Sequence, residues 1–123
     1  MSDATRDLGR EGEARAARFL EAAGYRILAR NVRAERVEID LVCAGDGALI
    51  FVEVKTRRGR SHGFAEEAVD GRKRARLVRG AAAWLAAQPR RYARVRFDVI
   101  ACEWDGADWQ VRHWPAAFDA GDC

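Results

Sequence analysis

The stretch VEIDLVCAGDGALIFVEVKT, Val37–Thr56, decides the fold. Two runs rich in Val, Ile, Leu and Phe flank Asp46-Gly47, a pair that favours a two-residue type I′ turn because both residues tolerate positive φ. The stretch reads as a β-hairpin in which Gly45 faces Ala48, Asp40 faces Glu53 and Glu38 faces Lys55. Side chains alternate across a strand, so Glu38, Asp40, Glu53 and Lys55 share a face with Val42, Leu49 and Phe51. Ile39, Leu41, Val52 and Val54 share the other. Two facing carboxylates have Cβ atoms about 5 Å apart and repel unless a proton or a cation lies between them. A hard divalent ion such as Mg²⁺ or Mn²⁺ resolves the conflict, since it takes oxygen ligands and binds through one or two carboxylates. The plainer reading is a surface hairpin whose polar face meets water. Val42, Leu49 and Phe51 on the charged face argue for a partly buried cleft instead.

Working outward, Glu11 to Ala23 places Ala16, Phe19, Leu20 and Ala23 at helical spacing, with Gly24 where a helix ends. Tyr25 to Val32 reads as a first strand. After the hairpin comes a basic, glycine-bearing loop from Arg57 to Gly63, and then a second helix from about Asp70 to Ala87. That helix carries Leu77, Ala81, Trp84 and Leu85 on one side and stops before Pro89. Val95 to Cys102 alternates as a strand, and Trp109 to Trp114 follows the Asp105-Gly106 turn as a further strand. The expectation is a single α/β domain over residues 1–123, with a mixed central sheet of four to five strands flanked by two main helices. Loose ends are expected at about 1–8 and 115–123.

The chain has 123 residues, which suits one domain with a core of its own. The three cysteines, Cys43, Cys102 and Cys123, are widely spaced and form no C-x-x-C, so neither a disulfide framework nor a zinc site is suggested. Cys43 and Cys102 read as small strand hydrophobes. The N-terminus is polar and no apolar run reaches about 18 residues, so a cytoplasmic protein with no membrane partner is expected. Net charge is +3, but it is unevenly spread: residues 57–96 hold 12 basic and 3 acidic side chains. Such a segment suits a polyanion, because neutralised phosphates release condensed counterions. A solvated, arginine-rich helix would carry the same charge. Of the 22 basic residues only Lys55 and Lys73 are lysines. An ammonium is a compact charge whose pKa can fall on burial, which a guanidinium cannot imitate. Beside Glu53, Lys55 is suited to orienting or deprotonating a water.

Asp40 followed by Glu53-Val54-Lys55 on the next strand resembles the PD-(D/E)-x-K nuclease signature of the restriction-endonuclease-like fold. More closely, the chain resembles the YraN-like family, small bacterial relatives of the archaeal Holliday junction resolvases. The likeness runs through Gly9-Arg10-Glu11-Gly12-Glu13, Glu38-Ile39-Asp40-Leu41, Phe51-Val52-Glu53-Val54-Lys55, Lys73 and Arg96-Phe97-Asp98-Val99. Val37 stands where that family usually has Gly. The resemblance implies a metal-dependent endonuclease acting on nucleic acid, DNA and branched DNA in particular, with Mg²⁺ or Mn²⁺ as cofactor and no small-molecule cofactor. Asp40, Glu53 and Glu13 would hold the metal and Lys55 would position the water. Related resolvases are dimers, which implies a homodimer. Glu13 shares a helix face with Ala16, Ala17 and Leu20, which turns it toward the sheet. Arg57, Arg58, Arg60, Arg72, Lys73, Arg76 and Arg79 are the candidates for phosphate contact, with His62 and Gly63 as weaker ones. Asp98 reads as the ion-pair partner of Arg96. Two competing functions keep the same fold: a nucleic-acid-binding module that does not cut, and a protein-interaction domain built on Trp84, Trp104, Trp109 and Trp114.

Overall fold

The computed structural model describes residues 3–58 and 71–118. The chain runs α1 (Asp3–Ala22), β1 (Arg26–Ala34), β2 (Val37–Gly45), β3 (Ala48–Arg58), α2 (Gly71–Ala86), β4 (Val95–Trp104) and β5 (Trp109–Phe118). The five strands form one sheet in the order β1-β2-β3-β4-β5. β3 and β4 are parallel, joined by the crossover that contains α2, and every other pairing is antiparallel.

The two helices cover opposite faces. Ala16, Ala17 and Leu20 of α1 pack on Leu41, Cys43, Ile50, Val52, Val54, Ile100 and Cys102. Leu77 and Ala81 of α2 pack on Val42, Leu49, Phe51, Phe97, Val99 and Phe118. Cys43 and Cys102 are buried free thiols and behave as the small hydrophobes expected of them.

α1 starts at Asp3, earlier than the apolar spacing places it. Gly9 weakens a helix by about 1 kcal/mol, and that alone does not end one. Its C-terminus is a Schellman motif: Gly24 has φ of 97°, Tyr25 N–H donates to Leu20 O at 2.9 Å and Gly24 N–H donates to Glu21 O at 3.0 Å. The central turn is as expected, with φ of 54° at Asp46 and 73° at Gly47, and Gly45 pairs with Ala48.

Two expectations are corrected. The hairpin ladder, expected to continue through Asp40–Glu53 and Glu38–Lys55, pairs residues only as far as Leu41–Val52. The next donor on that edge of β3, Val54 N–H, goes to Asp40 Oδ2 at 2.8 Å. A side chain thus takes the place of the missing rung, and β2 and β3 part there. β3 is held straight meanwhile by β4, with pairs from Leu49–Val95 to Arg58–Trp104. Alternation along β2 breaks at the same point: Leu41 packs on the α1 side, whereas Ile39, expected beside it, joins the α2-side cluster. The second correction concerns the C-terminal end, since Pro115 to Phe118 belong to β5. Phe118 is buried and stacks on Phe97 with centroids 5.0 Å apart. Arg60, His62, Gly63 and Cys123 lie outside the described residues.

Asp98 has the structural role foreseen for it. It is 1% exposed and accepts from Arg96 Nε and Nη2, each at 2.8 Å, and from Ala116 N–H at 2.9 Å, with His113 Nε2 2.7 Å away. Ala116, with φ of 51°, lies where the β4–β5 register shifts. Asp98 therefore satisfies an N–H that the shifted register leaves out of the ladder.

Candidate active site

The parting of β2 from β3 opens a cleft of about 390 Å³ lined by Val37, Glu38, Asp40, Glu53, Lys73, Arg76 and Leu77. Three elements bring acids to it. β2 contributes Glu38 and Asp40, which lie two residues apart and so point the same way. β3 contributes Glu53. α1 contributes Glu13, which reaches the same place because Gly12 lets the helix settle onto β3: a Cβ at Gly12 would overlap the Thr56 side chain. Cys102 Sγ also contacts Gly12 O at 3.3 Å, which fixes that turn of α1 against β4.

The ligand atoms of Glu13, Glu38 and Asp40 all lie within 4.8 Å of one another. Glu53 faces the lysines. Its Oε1 is 2.6 Å from Lys73 Nζ and 3.6 Å from Lys55 Nζ, and the residue is 8% exposed. Of the expected metal set, Asp40 and Glu13 come together with Glu38, while Glu53 lines the same cleft, is the strongest charge acting on Asp40, and is ion-paired to Lys73 and Lys55. Glu38, read only as one of the charged face, completes the trio.

The electrostatics follow from this crowding. Burial raises the Asp40 pKa to about 7, aided by the neighbouring charges of Glu53, Glu13 and Glu38 and opposed by the Val54 hydrogen bond. Glu13 is raised by burial and by Glu38 and Glu53. Lys55 is lowered, by burial first and then by the adjacent Lys73, while Glu53 pulls the other way. For Lys73 burial also pulls downward, but the contact with Glu53 prevails and the pKa rises. Glu13 and Asp40 are half-buried and Glu38 is exposed; the repulsion among them is relieved when one binds a proton or all share a cation. Three carboxylates are a hard oxygen donor set of the kind Mg²⁺ and Mn²⁺ take. The residues fit such an ion.

Asn31 belongs to none of the motifs quoted from the sequence. This residue has φ of 51° within β1, between the pairs Arg30–Leu41 and Val32–Ile39. With the amide orientation that hydrogen bonding requires, its nitrogen donates to both Glu13 oxygens at 3.1 Å. Its signal is an Asn inside an otherwise strand-like run, since Asn is depleted in strands and enriched where φ is positive.

Of the residues named for phosphate contact, Lys73 and Arg76 line the cleft. Arg58, Arg72 and Arg79 are exposed on β3 and α2, and Arg57 is half-buried near the end of β3. Val37 is buried against α2, where a Cβ on Gly80 would come within 3.0 Å of it. Among the described residues no helix is long and apolar enough to cross a membrane.

A mixed five-stranded sheet between two helices, with an acidic cluster where its hairpin forks, defines a restriction-endonuclease-like α/β domain. The chain belongs to the uncharacterised protein family UPF0102, which it matches over residues 12–102. It is 46% identical to a UPF0102 protein of Syntrophotalea carbinolica over 112 residues, covering 91% of each chain. It is 49% identical over 108 residues to one from Symbiobacterium thermophilum, covering 88% of this chain and 91% of the relative. With one from Frankia casuarinae it shares 54% over 93 residues, covering 76% and 79%.

Proposed function

We propose that this protein is a divalent-metal-dependent endonuclease that hydrolyses phosphodiester bonds in nucleic acid, with DNA as the substrate class. The observation that carries the reading is the meeting of Glu13, Glu38 and Asp40 within 4.8 Å, in a cleft shared with the Glu53–Lys55–Lys73 group. Glu13, Glu38 and Asp40 would hold Mg²⁺ or Mn²⁺, with Glu53 lining the same cleft. When bound, such an ion supplies the positive charge that stabilises the phosphoryl oxygens in the transition state.

The chain's own groups supply the rest. Lys55, its proton loosened by burial, orients the attacking water by hydrogen bonding and, in its neutral form, takes the proton that water releases. Glu53 positions the Lys55 ammonium, and Lys73 sits where it can meet a phosphate oxygen. Arg72, Arg76 and Arg79 bind the sugar-phosphate backbone, which fixes register without reading sequence. A homodimer would present two such clefts to a branched substrate.

The test is to incubate the protein with branched, single-stranded and duplex DNA in Mg²⁺ or Mn²⁺, beside Asp40→Asn and Lys55→Ala. Cleavage by the unaltered protein, reduced about a hundredfold or more in each variant, is the expected result, since the interactions removed are worth several kcal/mol in the transition state. One observation favours the non-cleaving module: Glu53 is already engaged by two ammonium groups. Salt-sensitive binding with no cleavage of any substrate would establish that reading instead.

A further inference from the structure

We propose a second phosphate-binding site at the far end of the sheet from the carboxylates, formed by Arg26, Arg90 and Arg91 around Tyr92, which grips the same nucleic-acid duplex about six base pairs from the reacting phosphate. This rests on the nucleic-acid reading above and adds a footprint to it.

The turn end of the β2–β3 hairpin and the segment between α2 and β4 enclose a groove of about 240 Å³ whose lining includes Arg26, Gly45, Gly47, Arg90, Arg91 and Tyr92. No acidic residue lines it. Asp46, in the turn between Gly45 and Gly47, is already held by the Tyr25 hydroxyl at 2.6 Å and by Arg96 at 3.3 Å. Arg26, Arg90 and Arg91 are exposed, and among the described residues neither Arg26 nor Arg91 is paired with a carboxylate. Tyr92 is packed against the core and carries the Arg90 guanidinium 5.4 Å above its ring, which limits the freedom of that cation. Guanidinium groups in such a setting suit phosphate, which they can bind in bidentate fashion.

α2 links the two sites: Lys73 and Arg76 line the acidic cleft and Ala86 lines a groove it shares with Arg90 and Arg91. α2 begins at the carboxylate end, where Lys73 meets Glu53, and finishes at Ala86, a length of about 20 Å or roughly six base pairs of duplex. Arg76 and Arg79 stand exposed near its middle. Beyond them a second groove, about 500 Å³, runs between Ala82 and Ala86 on one side and Arg90 and Arg91 on the other. Alanines there let a sugar-phosphate backbone come close, and the arginines at each end hold it.

Duplex binding measured by fluorescence anisotropy in EDTA, without cleavage, tests this. DNA graded in length on either side of the footprint would be titrated with the unaltered protein, with R90A/R91A, with R90K/R91K, and with R15A/R18A, which loses the same charge from α1. The expected result is that affinity rises as the duplex grows past about six base pairs, and that R90A/R91A loses this rise. R90A/R91A should also flatten the log–log salt slope by about 2, since each phosphate contact contributes about 0.9. R90K/R91K should keep most of the slope and R15A/R18A all of it. Equal losses in R90A/R91A and R15A/R18A would overturn the site, as would R90A/R91A behaving like the unaltered protein; in both cases Mg²⁺-dependent cleavage would leave the nuclease reading standing. A protein that binds no duplex at low salt sinks both. Arginine-dependent binding to phosphatidylglycerol vesicles with no effect on DNA would reassign the groove to a lipid surface.

Discussion

At the level of single residues, the fork of the hairpin crowds its charges and so shifts their titration. Asp40 has its carboxyl pKa raised from 3.8 to about 7, so the folded state holds that proton more tightly than the unfolded one. The associated stability is complete below pH 3.8 and is lost as pH rises toward 7. Asn can still accept the Val54 hydrogen bond but cannot ionise. Asp40→Asn should therefore stabilise the metal-free protein above about pH 7, by on the order of 1–2 kcal/mol after allowing for coupling and screening, and should match the unaltered protein near pH 4. Urea denaturation at several pH values in chelator measures this, and a gain that grows toward low pH would contradict it. Asn31 does two separable things, accepting positive φ and donating to Glu13. Asn31→Gly keeps the first and loses the second, so it should leave thermal stability nearly unchanged yet weaken Mn²⁺ binding about tenfold or more, the scale of a lost partner to a metal ligand. Asn31→Ala should lower stability as well, by about 1 kcal/mol, because Ala is strained at that φ.

At the scale of elements, the site depends on how closely α1 approaches β3. Gly12→Ala puts a methyl into the Thr56 side chain and should cost about 1–3 kcal/mol, with Glu13 displaced from the trio. Adding Thr56→Ala should recover part of that loss, as a double-mutant cycle in denaturant would show; strict additivity would contradict the contact. Much of this level is legible in the sequence. The Asp46-Gly47 turn fixes the hairpin register through purely local backbone preference, and the apolar spacing of Ala16, Leu20, Leu77 and Ala81 assigns each helix its face. The parting of β2 from β3 at Asp40 is not legible, because it depends on a side chain replacing a ladder bond. For the same reason Glu38 meets Glu13 and not Lys55, and Glu53 turns to the lysines. Pro115-Ala116 looks like the end of order, yet Asp98 anchors Ala116, a contact 18 residues away in sequence.

At the scale of the whole molecule, the sheet joins two helices that never have to touch. α1 delivers an acid from one face and α2 delivers cations from the other, and both reach the fork. On the proposed reading, the exposed arginines of α2, Arg72, Arg76 and Arg79, would be the substrate face beside the acidic cleft. On the proposed function, Glu13, Glu38 and Asp40 share a divalent cation. Isothermal titration of the protein with Mn²⁺ tests it most directly. One ion bound per chain, with binding weakened at least about tenfold by Glu38→Gln as by Asp40→Asn, is the result predicted; no uptake, or uptake indifferent to both substitutions, would contradict it.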